Sequence, residues 1–327
     1  MPRPSEDSLI ARFFAPLAGT GGLGLKDDAA RISPSPGHDL VLTLDALVER
    51  GHFLPEDAPG SIARKALGVN VSDLAAKGAD PVGFLLGLAL PADWTEDWLA
   101  GFAAGLGEAA QEWRCPLLGG DTVRASGRLT LSITALGEVP AGRMVRRTEA
   151  RVGDAICVTG TIGDSALGLA LRASPAWAEL LTPNHRDHLA DRYLHPQPRI
   201  GFARALRDHA HAAMDVSDGL VGDLSKLCRA SGVSAEVEAE RVPLSEAAAA
   251  SLKADPALLD RILTGGDDYE ILCTIPPHRL AAAQEAAAAA GLTLTAIGRV
   301  REGSDPPAIV VDGAERVFTR GSFSHFE

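Results

Sequence analysis

The sequence predicts a mixed α/β protein organised in two domains. Apolar runs of strand length alternate with longer stretches of helical spacing up to about residue 139. A segment rich in Pro, Gly and Arg follows at 140–153, and the same alternation then begins again. The chain has 327 residues, which is long for one globular unit. We therefore predict two domains, 1–145 and 146–327.

The first half contains three predicted helices and three predicted strands. The helices are expected at 8–17, 62–76 and 95–113, where apolar residues recur at helical spacing. The strands are expected at 39–44, 82–90 and 129–139. The stretch 19–38 is rich in Gly and Pro and is predicted to be a loop.

The second half repeats the pattern. Its predicted strands are 155–159 and 212–216. Its predicted helices are 164–173, 218–230 and the Ala-rich stretch 280–290. Short acidic segments recur in both halves, such as VSDL at 71–74 and VSDGL at 216–220. This similarity suggests that each half contributes acidic residues to one site.

Composition excludes several classes of protein. The chain is 46% hydrophobic, which is enough for a sizeable core, and its net charge of −12 without a Lys/Arg run argues against a nucleic-acid surface. No stretch approaches the length of a membrane span, and the N-terminus lacks the pattern of a signal peptide, so we expect a cytoplasmic protein that binds no membrane. The four cysteines are widely spaced and are expected to be reduced structural thiols.

Aspartates at the ends of apolar runs are the most informative feature of the chain. They occur at Asp27-Asp28, Asp45, Asp73, Asp121 and the segment 215–218. Carboxylates at the ends of buried strands face one another and repel unless a cation neutralises them. Oxygen ligands without a His or Cys set favour Mg²⁺, which commonly completes its shell with water and substrate phosphates. The pattern predicts a Mg²⁺-dependent phosphoryl-transfer enzyme.

Each aspartate also has a structural interpretation. Asp before a helix is a common N-cap, and Asp beside Gly is a common turn residue. The number of such aspartates, together with the Asp-Asp pairs at 27–28 and 267–268, favours a metal site. The G-x-G-x-x-G at 19–24 does not follow a strand, so it does not indicate a dinucleotide-binding fold, and the chain has no P-loop motif.

Eight segments then carry a resemblance to a known family. They are SLIARFF (8–14), DDA (27–29), GHF (51–53), KALGVNVSDLAA (65–76), GADP (78–81), GGDT (119–122), DVSDGL (215–220) and GGDDYE (265–270). They resemble the thiamine-monophosphate kinases, a branch of the superfamily that includes aminoimidazole ribonucleotide synthetase, selenophosphate synthetase and a hydrogenase maturation protein. The resemblance covers nearly the whole chain.

The resemblance implies a fold and a reaction. The fold is the two-domain, aminoimidazole ribonucleotide synthetase-like one, with an N-terminal α/β domain whose sheet pairs across a homodimer and a C-terminal α+β domain. The N-terminal domain is expected to bind ATP and magnesium and to dimerise. The reaction is transfer of the ATP γ-phosphoryl group to thiamine monophosphate, giving thiamine diphosphate and ADP.

The resemblance also implies the roles of individual residues. The expected metal ligands, for several Mg²⁺ ions, are Asp28, Thr43, Leu44, Asp45, Asp73, Asp121, Asp215 and Asp218. The expected ATP contacts are Gly120, Asp121, Arg147 and Ser217. The expected contacts to thiamine monophosphate are His52, Asp267 and Phe323. No residue is expected to act as a covalent nucleophile or general base, because the acceptor phosphate is already ionised near neutral pH.

Two departures from the family pattern affect these expectations. The family shows Gly-x-Gly before the Asp pair, whereas this chain has Gly24-Leu25-Lys26, and Leu44 replaces a usual Thr before Asp45. The second departure is harmless only if the family residue binds through its backbone carbonyl.

Several alternatives remain open at this stage. The first Cys is residue 115, which disfavours a selenophosphate synthetase, because that family carries a reactive Cys or selenocysteine near the N-terminus. The last four residues of the sequence are SHFE, which disfavours a hydrogenase maturation protein, because that family ends in a cysteine tail. An ATP-dependent synthetase of the purine-biosynthesis type shares the acidic segments. A non-catalytic regulator that binds nucleotide or metal is the alternative from a different class.

Overall fold

The computed structural model describes residues 5–318, and these residues fall into two compact units. The first unit contains the described residues up to Leu74 together with Ala79–Arg143. The second contains Ala75–Gly78 and the described residues from Met144 onward. The division into an ATP- and magnesium-binding, dimerising domain at 1–145 and a C-terminal α+β domain at 146–327 stays a prediction.

The first unit is built on a four-stranded mixed sheet in the order β1-β4-β2-β3. Its strands are β1 His38–Val48, β2 Asp80–Leu90, β3 Leu117–Arg124 and β4 Thr130–Pro140. β4 pairs antiparallel with both β1 and β2, while β3 pairs parallel with β2. The helical segments are α1 Glu6–Leu9, a π-helical turn Ile10–Phe14, 3₁₀ turns Ala15–Leu17 and Thr20–Leu25, α2 Pro59–Ala76 and α3 Glu96–Glu112.

The two faces of this sheet differ in burial. Along β1, Val41 and Leu47 are buried, whereas Leu42 and Leu44 are 61% and 59% exposed. Successive side chains of a strand point to opposite faces, so the alternation assigns the even-numbered residues of β1 to one face. That face also carries Leu40, which is exposed as well. The first unit therefore presents apolar side chains that nothing in it covers.

The second unit is built on a seven-stranded sheet in the order β11-β10-β7-β9-β5-β8-β6. Its strands are β5 Ala155–Thr159, β6 Ala212–Asp215, β7 Ser234–Glu238, β8 Ile271–Ile275, β9 Leu294–Arg301, β10 Ala308–Val311 and β11 Ala314–Glu315. Its helices are α4 Asp164–Leu171, α5 Pro183–Leu194, α6 Ala203–His209, α7 Leu220–Ser231, α8 Glu246–Ala254, α9 Leu258–Thr264 and α10 Leu280–Ala289. Its 3₁₀ turns are Ala176–Leu180, Ile200–Phe202, Ala239–Arg241 and Pro277–Arg279.

Both faces of the second sheet are buried at strands β5 and β8. Ile156 and Val158 of β5 pack into one apolar cluster, and Cys157 between them packs into another. Cys273 lies opposite Cys157 on β8 and joins the second cluster. All four cysteines are buried free thiols, as expected. Burial raises the pKa of the Cys115 and Cys157 thiols to about 12.

The predicted elements agree with the structure in most places. The strand predicted at 155–159 has the same bounds, and helices occur near 62–76, 95–113 and 280–290. The prediction missed β3, which includes Gly119 and Gly120. It also began one helix at residue 218, whereas α7 begins at Leu220. Within residues 5–318, no helix is both long and apolar enough to cross a membrane.

Candidate functional site

Thr43 and Asp45 of β1 contact Asp73 and Asn70 of α2, respectively. The Thr43 hydroxyl donates a short hydrogen bond to Asp73 Oδ2. Two residues along β1, the Asp45 backbone N–H donates to Asn70 Oδ1 at 3.0 Å. The Asn70 amide in turn donates to the Ala66 carbonyl at 3.0 Å, which fixes its orientation. Side chains from one strand and one helix thus form a polar contact inside the first unit.

The structure corrects the position of several aspartates. Asp45 lies inside β1 and Asp121 inside β3, so the expectation that they end apolar strands was wrong, whereas Asp73 lies inside α2, within the helix predicted at 62–76. Only Asp215 among the proposed metal ligands ends a strand, β6. An N-cap role does not apply to Asp45, Asp73 or Asp121, because none of them lies at a helix N-terminus.

Leu44 lies between Thr43 and Asp45 on β1, but its side chain points to the other face of the sheet. It is 59% exposed, whereas both neighbours are half-buried. Its backbone carbonyl is the only oxygen that Leu44 can offer as a ligand. Leucine at this position therefore removes no side chain from the polar face of β1.

A cleft of about 890 Å³ lies in the first unit. Its lining includes the polar residues Asp27, Asp28, Gly120, Asp121 and Thr122. Apolar residues of the strands complete it, among them Leu40, Leu85 and Leu136. Asp28 and Asp121 are thus brought to one cavity, while Thr43, Asp45 and Asp73 lie outside its lining. The structure groups the expected ligands of this unit into two sets.

Gly120 is required by the close pairing of β3 with β2. A Cβ atom at this position would lie 2.0 Å from the Leu86 carbonyl oxygen. Gly120 therefore lets the β3 backbone approach β2 directly beside Asp121.

The backbone before Asp27 explains why Lys26 is tolerated. Leu23, Gly24 and Leu25 have positive φ angles of 52°, 69° and 53°. Lys26 has φ −114° and ψ 1°, which any residue can adopt. The glycine that the family places at this position is therefore not required by the backbone of this chain.

The segment Asp215–Gly219 forms a corner in the second unit, between β6 and α7. Asp223 in the first turn of α7 has a fully buried side chain, and its Oδ2 accepts the backbone N–H groups of Ser217 and Asp218, both at 2.9 Å. Lys226 donates to Asp223 Oδ1 at 2.8 Å and makes a short contact to Asp218. Asp223 thereby fixes the two residues expected to contact ATP and a metal ion.

Sequence reasoning missed Asp223 and Lys226. Burial raises the pKa of Asp223, and the Lys226 ammonium partly offsets that effect. The spacing of the pair, i and i+3 on a predicted helix, was the available signal.

The loop Gly265–Glu270 lies against this corner. The Asp267 N–H donates to the Ser217 carbonyl at 2.8 Å, so an expected substrate residue and an expected ATP residue are adjacent. The Tyr269 hydroxyl donates to Asp267 Oδ1 at 3.2 Å. Gly266 allows the approach, because a Cβ there would lie 2.2 Å from the Ser217 carbonyl oxygen.

Three further predicted residues have different surroundings. His52 is half-buried, and its Nδ1 accepts the Val48 N–H at 3.0 Å, so this nitrogen carries no proton. Arg147 is exposed, and its carbonyl accepts the Ser231 hydroxyl at 2.8 Å. Phe323 lies outside the described residues.

The oxygen donors of the first unit fit a Mg²⁺ site with few protein ligands. Within residues 5–318, no three His, Cys, Asp or Glu side chains are grouped closely enough to hold a metal ion. Mg²⁺ is commonly held by one or two carboxylates together with waters and substrate phosphates. Asp28 and Asp121 at one cleft match that kind of site, and no zinc-like set of ligands is grouped in the described chain.

Comparisons with known proteins agree with this architecture. Residues 26–139 match the family model "AIR synthase related protein, N-terminal domain", and residues 151–311 match the corresponding C-terminal domain. A thiamine-monophosphate kinase of Caulobacter vibrioides is 43% identical over 307 residues, which cover 92% of this chain and 85% of that protein.

Two solved structures are similar over nearly the whole chain. The crystal structure of thiamine-monophosphate kinase from Stenotrophomonas maltophilia K279a is 39% identical, with a TM-score of 0.82, and the match covers 94% of this chain and 95% of that one. The structure of AaThiL complexed with AMPPCP and TMP is 32% identical, with a TM-score of 0.78, and the match covers 100% and 99%.

Proposed function

Because this chain belongs to the thiamine-monophosphate kinase family, we propose that it transfers the γ-phosphoryl group of ATP to thiamine monophosphate, giving thiamine diphosphate and ADP. The observation that carries the proposal is 43% identity over 92% of the chain to a kinase of that name. The complex of AaThiL with AMPPCP and TMP, at 32% identity over the full chain, supports the same pair of substrates.

The reaction needs little covalent chemistry from the protein. The phosphate of thiamine monophosphate is ionised near neutral pH, so it can attack the γ-phosphorus without a general base. The protein must bring two anions together and hold them in line. Bound Mg²⁺ would supply charge neutralisation at the phosphate oxygens. Direct in-line transfer predicts inversion at phosphorus, which ATP chiral at the γ-phosphorus would reveal.

The metal ligands are proposed on the basis of the two groups of oxygen donors in the first unit and the corner in the second. Asp28 and Asp121 line the cleft, while Thr43, Asp45 and Asp73 share the contact between β1 and α2. The Leu44 carbonyl is proposed as a further ligand in the first unit, and Asp215 and Asp218 are proposed as ligands in the second. We infer ATP contacts from Gly120, Asp121, Arg147 and Ser217, and substrate contacts from His52, Asp267 and Phe323.

We also propose a homodimer that pairs the N-terminal sheets. The exposed leucines at 40, 42 and 44 support it, because an apolar strip on a sheet face is typical of a covered surface. A cytoplasmic location follows from the proposed use of ATP as phosphoryl donor.

The experiment is direct. The purified protein is incubated with ATP, Mg²⁺ and thiamine monophosphate, and the products are separated and quantified. We expect thiamine diphosphate and ADP in equal amounts, and no product when EDTA removes the metal. Formation of ADP without thiamine diphosphate would point to a different acceptor. Nucleotide binding without turnover would point to a regulator.

A further inference from the structure

The loop Gly265–Glu270 adopts an unusual backbone conformation around Asp267. Asp267 and Tyr269 have φ angles of 72° and 52°, in the left-handed region that residues with a side chain rarely adopt. Such conformations cost energy and persist where surrounding contacts over-determine them. The loop therefore depends on contacts beyond its own backbone.

The first group of contacts comes from the corner at β6. Asp267 N–H donates to the Ser217 carbonyl, and Tyr269 N–H donates to the Val216 carbonyl, both at 2.8 Å. The Asp268 carboxylate accepts the N–H of Gly163 at 2.7 Å, at the start of α4. These bonds fix the backbone on either side of Asp268.

The second group of contacts converges on Glu270, whose side chain is fully buried. Arg192 Nη2 donates to Glu270 Oε1 at 3.0 Å, and Arg199 binds the same carboxylate through Nε at 2.7 Å and through Nη2. The Thr159 hydroxyl adds a hydrogen bond at 2.7 Å. Arg192 Nη2 also reaches the Asp268 carbonyl at 3.3 Å, so it joins two residues of the loop.

The burial of these charged groups costs desolvation free energy that an apolar contact would not cost. Arg192 is 5% exposed and its Nη1 has no hydrogen-bond partner among the described residues. Two guanidinium groups share one fully buried carboxylate, and their removal from water is unfavourable. Gly160 must be glycine here, because a Cβ would lie 2.3 Å from Glu270 Oε1. The end of this loop is therefore held by charged side chains whose desolvation is unfavourable.

We propose that Arg192, Arg199 and Glu270, here called the arginine brace, form a positioning device for substrate recognition. The brace holds the loop in its left-handed conformation, and the Tyr269 hydroxyl orients the Asp267 carboxylate. Asp267 then presents a fixed negative charge to the cationic thiamine part of the acceptor. The inference rests on the proposed function, and its residues act through Asp267 without touching the reacting phosphates.

Two variants test the proposal. Arg199→Lys keeps the charge but loses the two-pronged contact with Glu270. Tyr269→Phe removes one oxygen atom from a residue that is 8% exposed and leaves its packing intact. Arg301→Lys is the control, because Arg301 also pairs with a glutamate, Glu236 at 2.7 Å, on an exposed part of the same sheet.

The readout is the Michaelis constant for each substrate, with the melting temperature of each protein. We expect Arg199→Lys and Tyr269→Phe to raise KM for thiamine monophosphate at least about tenfold and about threefold, respectively, on the scale of lost charged and neutral hydrogen bonds. KM for ATP and the Kd for AMPPCP should change less than twofold, and Arg301→Lys should match the wild type.

The outcomes separate the possible failures. Equal increases in both KM values, or an unchanged KM for thiamine monophosphate in either variant, would overturn the positioning role. If Arg199→Lys does not fold, Arg192→Lys, which leaves the contacts of Arg199 with Glu270 in place, is measured instead with the same expected result. A wild-type protein that forms no thiamine diphosphate would instead refute the proposed function.

Discussion

At the residue scale, the acidic segments have two different structural roles. Asp223 is an internal support whose oxygens are taken by backbone N–H groups and by Lys226. Asp28 and Asp121 line an open cleft in the first unit. A carboxylate that already receives several hydrogen bonds has little capacity left for a ligand. The lining aspartates are therefore the better candidates for catalysis, although the sequence gives all of them similar neighbours.

The first prediction concerns Asp73 and Asp121. Asp→Asn keeps the size of the side chain and removes one charge, so a ligand role should lower kcat at least about a hundredfold in each variant, on the scale of lost electrostatic stabilisation. The melting temperature of the metal-free protein should stay the same or rise, because a charge leaves an acidic site. Steady-state kinetics over a Mg²⁺ titration measures the effect.

Asp187→Asn is the matched control for that experiment. Asp187 is an exposed aspartate on α5 of the second unit, and the loss of its charge should leave kcat unchanged. Near-normal kcat in Asp73→Asn and Asp121→Asn at ordinary Mg²⁺ concentrations would refute their assignment as metal ligands.

The second prediction concerns the four thiols. Burial raises the pKa of Cys115 and Cys157 to about 12 and that of Cys228 to about 11, above the ordinary 9.0. The thiolate is the reactive form, so we expect negligible alkylation of the folded protein at pH 8 and complete alkylation after unfolding. Rapid labelling of the native protein at any of these positions would contradict the burial described here.

The same pKa values give a direction for stability at high pH. A folded-state pKa above the unfolded one means that the folded protein binds the proton more tightly. The contribution of these thiols to stability is complete below pH 9 and is lost as the pH rises through about 11 to 12. Denaturant melts between pH 8 and pH 11 should show a falling free energy of unfolding, and replacement of Cys157 by Ala should reduce that slope.

At the element scale, β3 shows why part of the fold could not be predicted. Gly119 and Gly120 are poor strand formers, and Asp121 after them is a typical turn residue. The segment becomes a strand because β2 offers a parallel partner from Phe84 to Leu90. A tertiary contact therefore overrides local preference, and no window of the sequence contains that information.

The third prediction follows from the pairing of β3 with β2. Gly120→Ala places a methyl group against the Leu86 carbonyl oxygen, so the backbone must move, and we expect a loss of at least about 2 kcal/mol in the free energy of unfolding. Chemical denaturation measures it. Gly127→Ala is the control, since a Cβ there meets no atom within 4 Å and should change stability by less than about 0.5 kcal/mol. Equal stability of the two variants would show that β3 can move away from β2.

At the scale of the whole molecule, hydrophobic periodicity predicted most helices and strands. It did not predict the polar side chains that connect one element to another. The strand at 155–159 and the helix at 280–290 were readable, because their apolar pattern reports burial directly. Arg192 and Arg199 act through Glu270, which is 78 and 71 residues away in sequence, so no local pattern indicates the contact. Site residues such as Asp267 were proposed from the family resemblance. The structure adds the hydrogen bonds that fix their positions.

The fourth prediction concerns assembly. Leu42 is 61% exposed on the apolar face of the first sheet, and a charge there should prevent two copies from pairing. We expect the wild type to be a dimer and Leu42→Glu a monomer in size-exclusion chromatography with light scattering. Leu180→Glu is the control, because Leu180 is 73% exposed in the second unit and should leave the dimer intact. A monomeric wild type would refute the proposed pairing.

The arginine brace also constrains how such a sequence can evolve. Loss of Glu270 alone would leave the buried Arg192 and the partly buried Arg199 without their shared carboxylate, and loss of either arginine would weaken the support of a strained loop. Charge and size at these positions are therefore coupled, and single substitutions at any of them are expected to be selected against. Gly160 is tied to the same set, because any side chain there would collide with Glu270. Substitutions at these four positions are therefore expected to occur together and not singly.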